Sequence, residues 1–374
     1  MQITNIDLYT HDLPYKGDTY SLSGGRDYTE FQAAIVRLQS DDGLSGWGES
    51  TPFGSTYIAA HAKGAIAGIE ELAPALLGKD PRGHERLCDL MDQTLMDHNH
   101  ARAALDIACW DLAAQHYGIP VHLLLGGSTG ERMPVISSIY SGSPEDMRAR
   151  VAKHRAMGYR GHSIKIGADE SDGGVTLDAE RIVACLAERQ PGEYFLADAN
   201  GGLTPDAVMR LLALLPVQTD IVLEAPCRTW HETKQVRQHC RLPILLDELI
   251  QHDEDVINAI EQQLADGIGL KISKAGGLTP ARRQRDICRA AGLSMSVQDT
   301  VGSSIAFAGI VHLGQTVPGR LLRCVLDTRD MVTGHVADLD APIKDGGVLA
   351  PDTPGLGLDV DIDKLGKPAL SWAL

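Results

Sequence analysis

Three carboxylates stand at the ends of three consecutive apolar runs: Asp198 in YFLADAN, Glu224 in IVLEAP and Asp247 in ILLDE. The steps between them are 26 and 23 residues, each about one strand-helix unit of a β/α barrel. A run of Leu, Ile, Val and Phe that stops at an acid has the pattern of a buried parallel strand with a polar tip. Three such tips side by side offer hard oxygen ligands of the kind Mg²⁺ takes, with Mn²⁺ as the alternative ion. One strand-end acid alone is more often a helix N-cap or a solvated loop residue. The even spacing over three successive strands is what singles these out.

The rest of the chain supports a barrel with a cap. Residues 1 to about 50 alternate in strand fashion, as ITNIDLYTHDL, FQAAIVRLQS and LSGWGES, and form an antiparallel meander on paper. From about 57 to 117 the pattern turns helical, rich in Ala and Leu. LLLGG at 123 to 127 marks a boundary. Eight apolar runs then alternate with amphipathic segments, starting at 135, 162, 193, 220, 243, 267, 293 and 321. The expected fold is α/β: a (β/α)7β TIM-like barrel over 128–331 carrying the site, and an α+β capping domain over 1–127. The tail from 332 to 374 is expected to pack back on the cap. No Gly-rich dinucleotide fingerprint follows any strand, which disfavours a doubly wound sheet.

Composition limits the partners. Net charge is -16, and no basic stretch is long enough to follow a phosphate backbone or an anionic membrane. No apolar run reaches the ~18 residues of a membrane span. The first residues, MQITNIDLYTHDLP, carry no signal-peptide core, and the seven cysteines include no CxxC pair. An odd count of scattered thiols fits a reducing cytoplasm.

Two lysines interrupt apolar strands, Lys165 in HSIKIG and Lys271 in GLKISKAGG. Ser163 and Lys165 share one strand face, turned into the barrel if Ile fills the other, while His162 points away and is structural. The bland alternative is a pair of snorkelling or ion-paired lysines. Strands two and six lie on opposite sides of a barrel mouth, so a substrate between them meets an amine on each face. Removing a proton α to a carboxylate creates a dianionic enediolate, which a divalent cation stabilises. An ammonium near that cation and near a second ammonium has its pKa pushed down toward neutrality. One lysine then takes the proton. The other returns it, inverting the centre, or protonates a departing β-hydroxyl.

The strand-two lysine, the Asp/Glu/Asp set and KISKAGG resemble the enolase superfamily, in its muconate-lactonizing branch. The resemblance spans essentially the whole chain, LSGWGES included. It implies the barrel and cap, Mg²⁺ at Asp198, Glu224 and Asp247, an acid/base pair in Lys165 and Lys271, and a homo-oligomer. Departures narrow the activity. Ser163 stands where many members carry a first lysine of K-x-K, which argues against muconate lactonization, succinylbenzoate synthesis and ordinary dipeptide epimerization. Strand seven, VQDTVG, lacks the His of acid-sugar dehydratases. DTRD at strand eight is a poor match to the Asp-x-Asp of dipeptide epimerases.

YSLSGGR at 20 to 26, TPFGSTYIAAHAKGA from 51 and GHSIKIG resemble cis-3-hydroxy-L-proline dehydratases and hydroxyproline-betaine epimerases, with LSGGR and HSIKIG nearer the dehydratases. The expected substrate is a cyclic amino acid, cis-3-hydroxy-L-proline, converted to 1-pyrroline-2-carboxylate and water. The runner-up is a racemase or epimerase of proline-like compounds, and the rival from another class is a non-catalytic small-molecule-binding barrel. Tyr20, Ser23, Tyr57, Ser163, Asp299 and Asp327 are candidate substrate contacts. Asn200, Glu248 and Lys274 are candidates to support the metal carboxylates. The loops Ser21 to Arg26 and Phe53 to His61 are candidate lids, with His61 a further candidate contact.

Overall fold

The computed structural model describes residues 1–17 and 19–374. The cap strands are β1 (Ile3–Pro14), β2 (Tyr20–Leu22), β3 (Arg26–Tyr28), β4 (Glu30–Ser40) and β5 (Ser45–Ser50). β1, β4 and β5 form the antiparallel meander, while β2 and β3 make a separate hairpin over the barrel mouth. Helices α1 (Ala62–Leu76), α2 (His84–Thr94), α3 (Asn99–Tyr117) and α4 (Val121–Leu124) follow. α3 is buried along nearly its whole length, because small Ala side chains let a sheet on one side and the barrel on the other approach it closely.

The barrel strands are β6 (Met133–Ile139), β7 (Gly161–Lys165), β8 (Tyr194–Asp198), β9 (Val222–Glu224), β10 (Ile244–Leu246), β11 (Gly267–Lys271), β12 (Ser294–Gln298) and β13 (Leu322–Leu326). They are parallel, in sequence order, and β13 closes on β6. These are the eight runs legible in the sequence. Seven strands are followed by helices: α5 (Pro144–Ala156), α6 (Gly174–Leu186), α7 (Pro205–Leu214), α8 (Trp230–Arg237), α9 (Asp253–Glu261), the pair α10 (Ile272–Ala275) and α11 (Leu278–Ala291), and α12 (Ser304–Gly314). Side-chain caps start several of them, as with Ser143, Thr204 and the Thr229/Glu232 capping box.

Strand alternation divides the core. Ile164, Phe195, Ala197, Leu223, Ile244 and Leu246 face the helices in one cluster. Ile136, Leu196, Leu245 and Cys324 face the lumen and join the cap residues Tyr20, Phe31, Trp47 and Phe53 in a second. Barrel interior and cap thus share one core, which fixes the cap over the strand tips.

After β13 come β14 (Ala337–Leu339), β15 (Gly347–Val348), β16 (Leu358–Val360), α13 (Ile362–Leu365) and β17 (Leu370–Ala373). β17 adds to the cap sheet beside β1. β15 instead pairs antiparallel with β6 of the barrel.

Two glycines in GWGES let β5 lie directly on α3. A Cβ on Gly48 would stand 2.0 Å from the carbonyl oxygen of Ala104, and one on Gly46 2.4 Å from that of Ala108. Overpacking against backbone cannot be relieved by a rotamer change, so Gly48→Ala is expected to cost about 2 kcal/mol or more. A lowered urea midpoint checks this. An unchanged midpoint would contradict the close approach.

Candidate active site

Strand register brings the acids and the first lysine to one level. Lys165 of β7 is paired across the sheet with Asp198 of β8, and Asp198 with Glu224 of β9. Asp247 follows β10 directly, and Lys271 ends β11. β7 and β11 are four strands apart in a ring of eight, so the two lysines approach from opposite sides. The backbone is strained where the acids end their strands: Ala225, after Glu224, has φ 40°, and Asn200 has φ 45°. Non-glycine residues rarely hold such angles unless the surroundings impose them.

Each lysine has found a carboxylate. Lys165 Nζ donates to Asp198 Oδ2. Lys271 Nζ lies 2.6 Å from Asp247 Oδ2, and Lys274 Nζ 2.6 Å from Asp247 Oδ1. Tyr57 reaches down from the cap: its hydroxyl donates to Asp247 Oδ2 at 2.9 Å and accepts from Lys271 at 2.5 Å. The backbone N–H of Asn200 donates to Asp198 Oδ1 at 2.9 Å. Its amide donates to Asp198 Oδ2 and to Glu248 Oε1, each at 3.1 Å.

Burial and crowding set the charges. Burial, then Asp198 and Asp247, push the Glu224 carboxyl well above the usual range. Burial and the same two acids push Glu248 up to about 7. Burial also opposes charge on Asp247, but Lys271 and Lys274 outweigh it and hold that carboxyl low. Burial presses on both lysines too. Asp198 outweighs it for Lys165 and Asp247 for Lys271, so both ammonium groups sit above their ordinary value. Lys274 is lowered, since its burial and the charge of Lys271 exceed the pull of Asp247. The lowered lysine expected from the sequence is that of an amine beside a divalent cation. Here a carboxylate is the nearest charged group to Lys165 and to Lys271.

The residues fit a hard divalent cation in kind. Among the described residues no three His, Cys, Asp or Glu side chains are gathered round one point as ligands. Asp198 is turned to Lys165, and Asp247 to Lys271 and Lys274. Yet all three acids are oxygen donors on adjacent strand tips, and their mutual repulsion is what a +2 ion relieves. Glu248 Oε2 and Asn200 Oδ1 beside them are buried without hydrogen-bond partners among the described residues. These two would orient the ligating carboxylates.

The other candidates divide. Tyr20, Tyr57, Ser163 and Asp299 line the cleft with Lys165, Lys271, Asp198 and Glu224, around about 460 Å³ of empty space. Tyr20 shares a hydrogen bond with Ser138 Oγ. Asp299 accepts from the backbone N–H of Ser273 at 3.1 Å and from its hydroxyl at 2.7 Å, and burial pushes its carboxyl up to about 6. Ser23 lies outside the cleft, bonded to Arg26. It abuts Gly167 and Gly202, where a Cβ would come within 2.6 and 2.7 Å of its own. Asp327 lies outside as well, gripped by the Arg329 guanidinium through two bonds of 2.9 Å. His61 lines a neighbouring cleft. Ser138, Gln298, Leu326 and Met331 line the cleft of the two lysines without having been singled out in the sequence. Strand alternation from Ile136 would have placed Ser138 inward.

Fold and site together define a barrel with two lysines on opposite sides of a cleft over a carboxylate set. The chain belongs to the enolase superfamily, in the mandelate racemase/muconate lactonizing enzyme group. Residues 26–126 match that group's N-terminal domain, and residues 146–364 match the enolase C-terminal domain-like family. A cis-3-hydroxy-L-proline dehydratase from Roseibium aggregatum is 35% identical over 100% of both chains. An N-succinyl-L-Arg/Lys racemase from Bacillus cereus is 27% identical over 98% of this chain and 97% of its own. Among solved structures, a mandelate racemase/muconate lactonizing protein from Roseovarius nubinhibens, complexed with magnesium, superposes with a TM-score of 0.98. It is 60% identical over 100% of each chain.

Tyr57 is the cap's direct hold on this charge cluster. A hydrogen bond to a charged group contributes about 1.5–3 kcal/mol, so Tyr57→Phe is expected to lower kcat/KM about ten- to a hundredfold. Steady-state turnover with an unchanged circular dichroism spectrum checks this. Full activity in the variant would show the contact to be incidental.

Proposed function

We propose that this chain is a Mg²⁺-dependent dehydratase that converts cis-3-hydroxy-L-proline to 1-pyrroline-2-carboxylate and water. The observation that carries the reading is the pair of buried lysines on opposite strands, Lys165 and Lys271, facing one narrow cleft. The dehydratase relative, alike over its whole length, supports the same chemistry. The strand-eight corner of the cleft supports a small ring without a second charge. Leu326 and Met331 form that wall, while Asp327 is turned to Arg329. A dipeptide or an N-succinyl amino acid would bury its distal charge there without a partner, at a cost of several kcal/mol.

Bound at Asp198, Glu224 and Asp247, Mg²⁺ would supply positive charge to the substrate carboxylate as the α-proton leaves. With Asp198 and Asp247 so engaged, Lys165 and Lys271 would lose the contacts that hold their ammonium groups up. One of them, as the free amine, accepts the proton from Cα. The opposite one, as ammonium, donates a proton to the 3-hydroxyl while the C3–O bond breaks, and water departs. In cis-3-hydroxy-L-proline the α-hydrogen and the hydroxyl lie on opposite ring faces, so anti elimination matches amines on opposite sides. The enamine formed tautomerises to the cyclic imine. Asp299, which lines the same cleft, would accept from the ring ammonium. Tyr57 and the apolar cap residues exclude bulk water from the amine that must stay uncharged.

The second reading, a racemase or epimerase of proline-like compounds, uses the same two lysines without loss of the hydroxyl. It draws on the racemase relative. The seven cysteines are all free, which supports a reducing, cytoplasmic setting. Among the described residues no helix is long and apolar enough to cross a membrane.

Proton NMR in D₂O with Mg²⁺ separates the readings. Loss of the 3-hydroxyproline signals with growth of an imine is expected. Deuterium at Cα with inversion and no water loss would establish the epimerase instead. Lys165→Ala and Lys271→Ala should each lower kcat about 10²–10⁴-fold, the usual contribution of a positioned acid or base. Retained turnover in both variants would sink the acid/base assignment.

A further inference from the structure

A second cleft, with about 730 Å³ of empty space, lies at the seam between the cap and the barrel. Lys274, His61, His98, His100 and Gln251 are among the residues that line it. It is separate from the catalytic cleft, whose lining contains Lys271 but not Lys274.

Two helices begin on this cleft. Gly64 and Ala65 of α1 line it, as do Asn99, His100 and Ala101 of α3. These are helices of 15 and 19 residues, and each N-terminus carries about half a positive charge. The Gly64 and Ala65 N–H groups are themselves bonded to His61, and those of Asn99 and Ala101 to the carbonyls of Asp97 and His98, so the dipoles rather than these amides act on the cleft. The N-cap of α3, His98, makes no side-chain capping bond; its Nδ1 is 2.7 Å from the Met96 carbonyl oxygen instead. That leaves the first turn of α3 without a side-chain acceptor.

His100 provides the independent sign of a ligand. It is 5% exposed, and its Nδ1 is 2.9 Å from Ser50 Oγ. Its Nε2 has no hydrogen-bond partner among the described residues. A buried polar atom left this way costs about 1–3 kcal/mol. His61 adds a donor: its Nδ1 accepts from the Gly64 N–H at 3.3 Å, so its proton resides on Nε2. Among the described residues the Lys274 ammonium makes two hydrogen bonds, both to Asp247, and it has three N–H groups to give. The one acid in the lining is Asp97, exposed at the rim.

We infer that this cleft binds a small oxyanion, a monocarboxylate or inorganic phosphate, seated between the N-termini of α1 and α3 against His100 and Lys274. Donors and helix dipoles converge there, and an oxyanion satisfies both at once. The inference does not depend on the reaction assigned to the catalytic cleft.

Calorimetric titration of the Mg²⁺-loaded enzyme with sodium acetate, and separately with sodium phosphate, tests it at constant ionic strength. Saturable millimolar binding of at least one anion is expected, and the anion that binds identifies carboxylate or phosphate as the ligand chemistry. Gly64→Asp places a carboxylate in the cleft. Its Cβ would meet only the His61 ring, at 3.1 Å, and that side chain can swing aside. Binding should weaken about tenfold or more in this variant. His61→Ala, at an exposed position, should also weaken it and serves if the first variant folds poorly. An absence of saturable binding to the wild type would overturn the inference. So would wild-type affinity in His61→Ala and in a folded Gly64→Asp, because the anion would then be seated in the catalytic cleft.

Discussion

Burying opposite charges together in one small space governs this molecule. Asp198, Glu224, Asp247, Lys165, Lys271 and Lys274 are all buried at the barrel mouth. Taking ions out of water is costly, and only close partners offset the cost. The lysines supply those partners in the arrangement described: one carboxylate holds Lys165, and another holds both Lys271 and Lys274. Glu224 shares that space with both aspartates, and its carboxyl is driven upward. The cluster is thus balanced by contacts that a divalent cation would replace. The same exchange would release the amines for proton transfer.

Such a cluster needs a precise cover, and the cap is joined to the barrel by buried polar contacts as well as by shared core. Glu49 of β5 accepts from the Ser303 N–H at 2.9 Å, at the start of α12. Asp106 of α3 accepts from the Thr279 N–H at 2.9 Å, and Trp110 donates to the Thr279 hydroxyl at 2.9 Å. Asp111 accepts from the N–H groups of Trp47 at 2.8 Å and Leu356 at 2.7 Å, tying cap sheet, helix and tail together. Burial raises both aspartates to about 6, which marks how dry these joints are. Each carboxylate satisfies backbone donors of another segment, a condition met in only one relative placement. Tyr57 is therefore delivered to Asp247 from a rigid support.

Strands, acids and lysines were legible because each follows from periodicity. A parallel strand buried on both faces must be apolar until its tip, so an acid at 198, 224 or 247 and a lysine at 165 or 271 stand out. What could not be read were the contacts made after closure. Tyr57 was legible as a lid residue, but its hydrogen bond to Asp247 spans 190 positions of sequence. Asp327 sits at a strand tip like Asp299, yet Arg329 two residues on turns it away. Ser23 meets Gly167 and Gly202 rather than the substrate cleft, because glycines on two barrel loops leave a notch of its size. Alternation alone does not choose among such partners.

The most direct test of a cation-centred site between two lysines is a crystal structure of the Lys271→Ala enzyme with Mg²⁺ and cis-3-hydroxy-L-proline. One ion about 2.0–2.1 Å from an oxygen of each of Asp198, Glu224 and Asp247 is expected. The substrate carboxylate should lie on that ion, with Lys165 on one ring face and the vacated side chain on the other. An ion held elsewhere, or a ring whose α-hydrogen and hydroxyl both face the same strand, would contradict it.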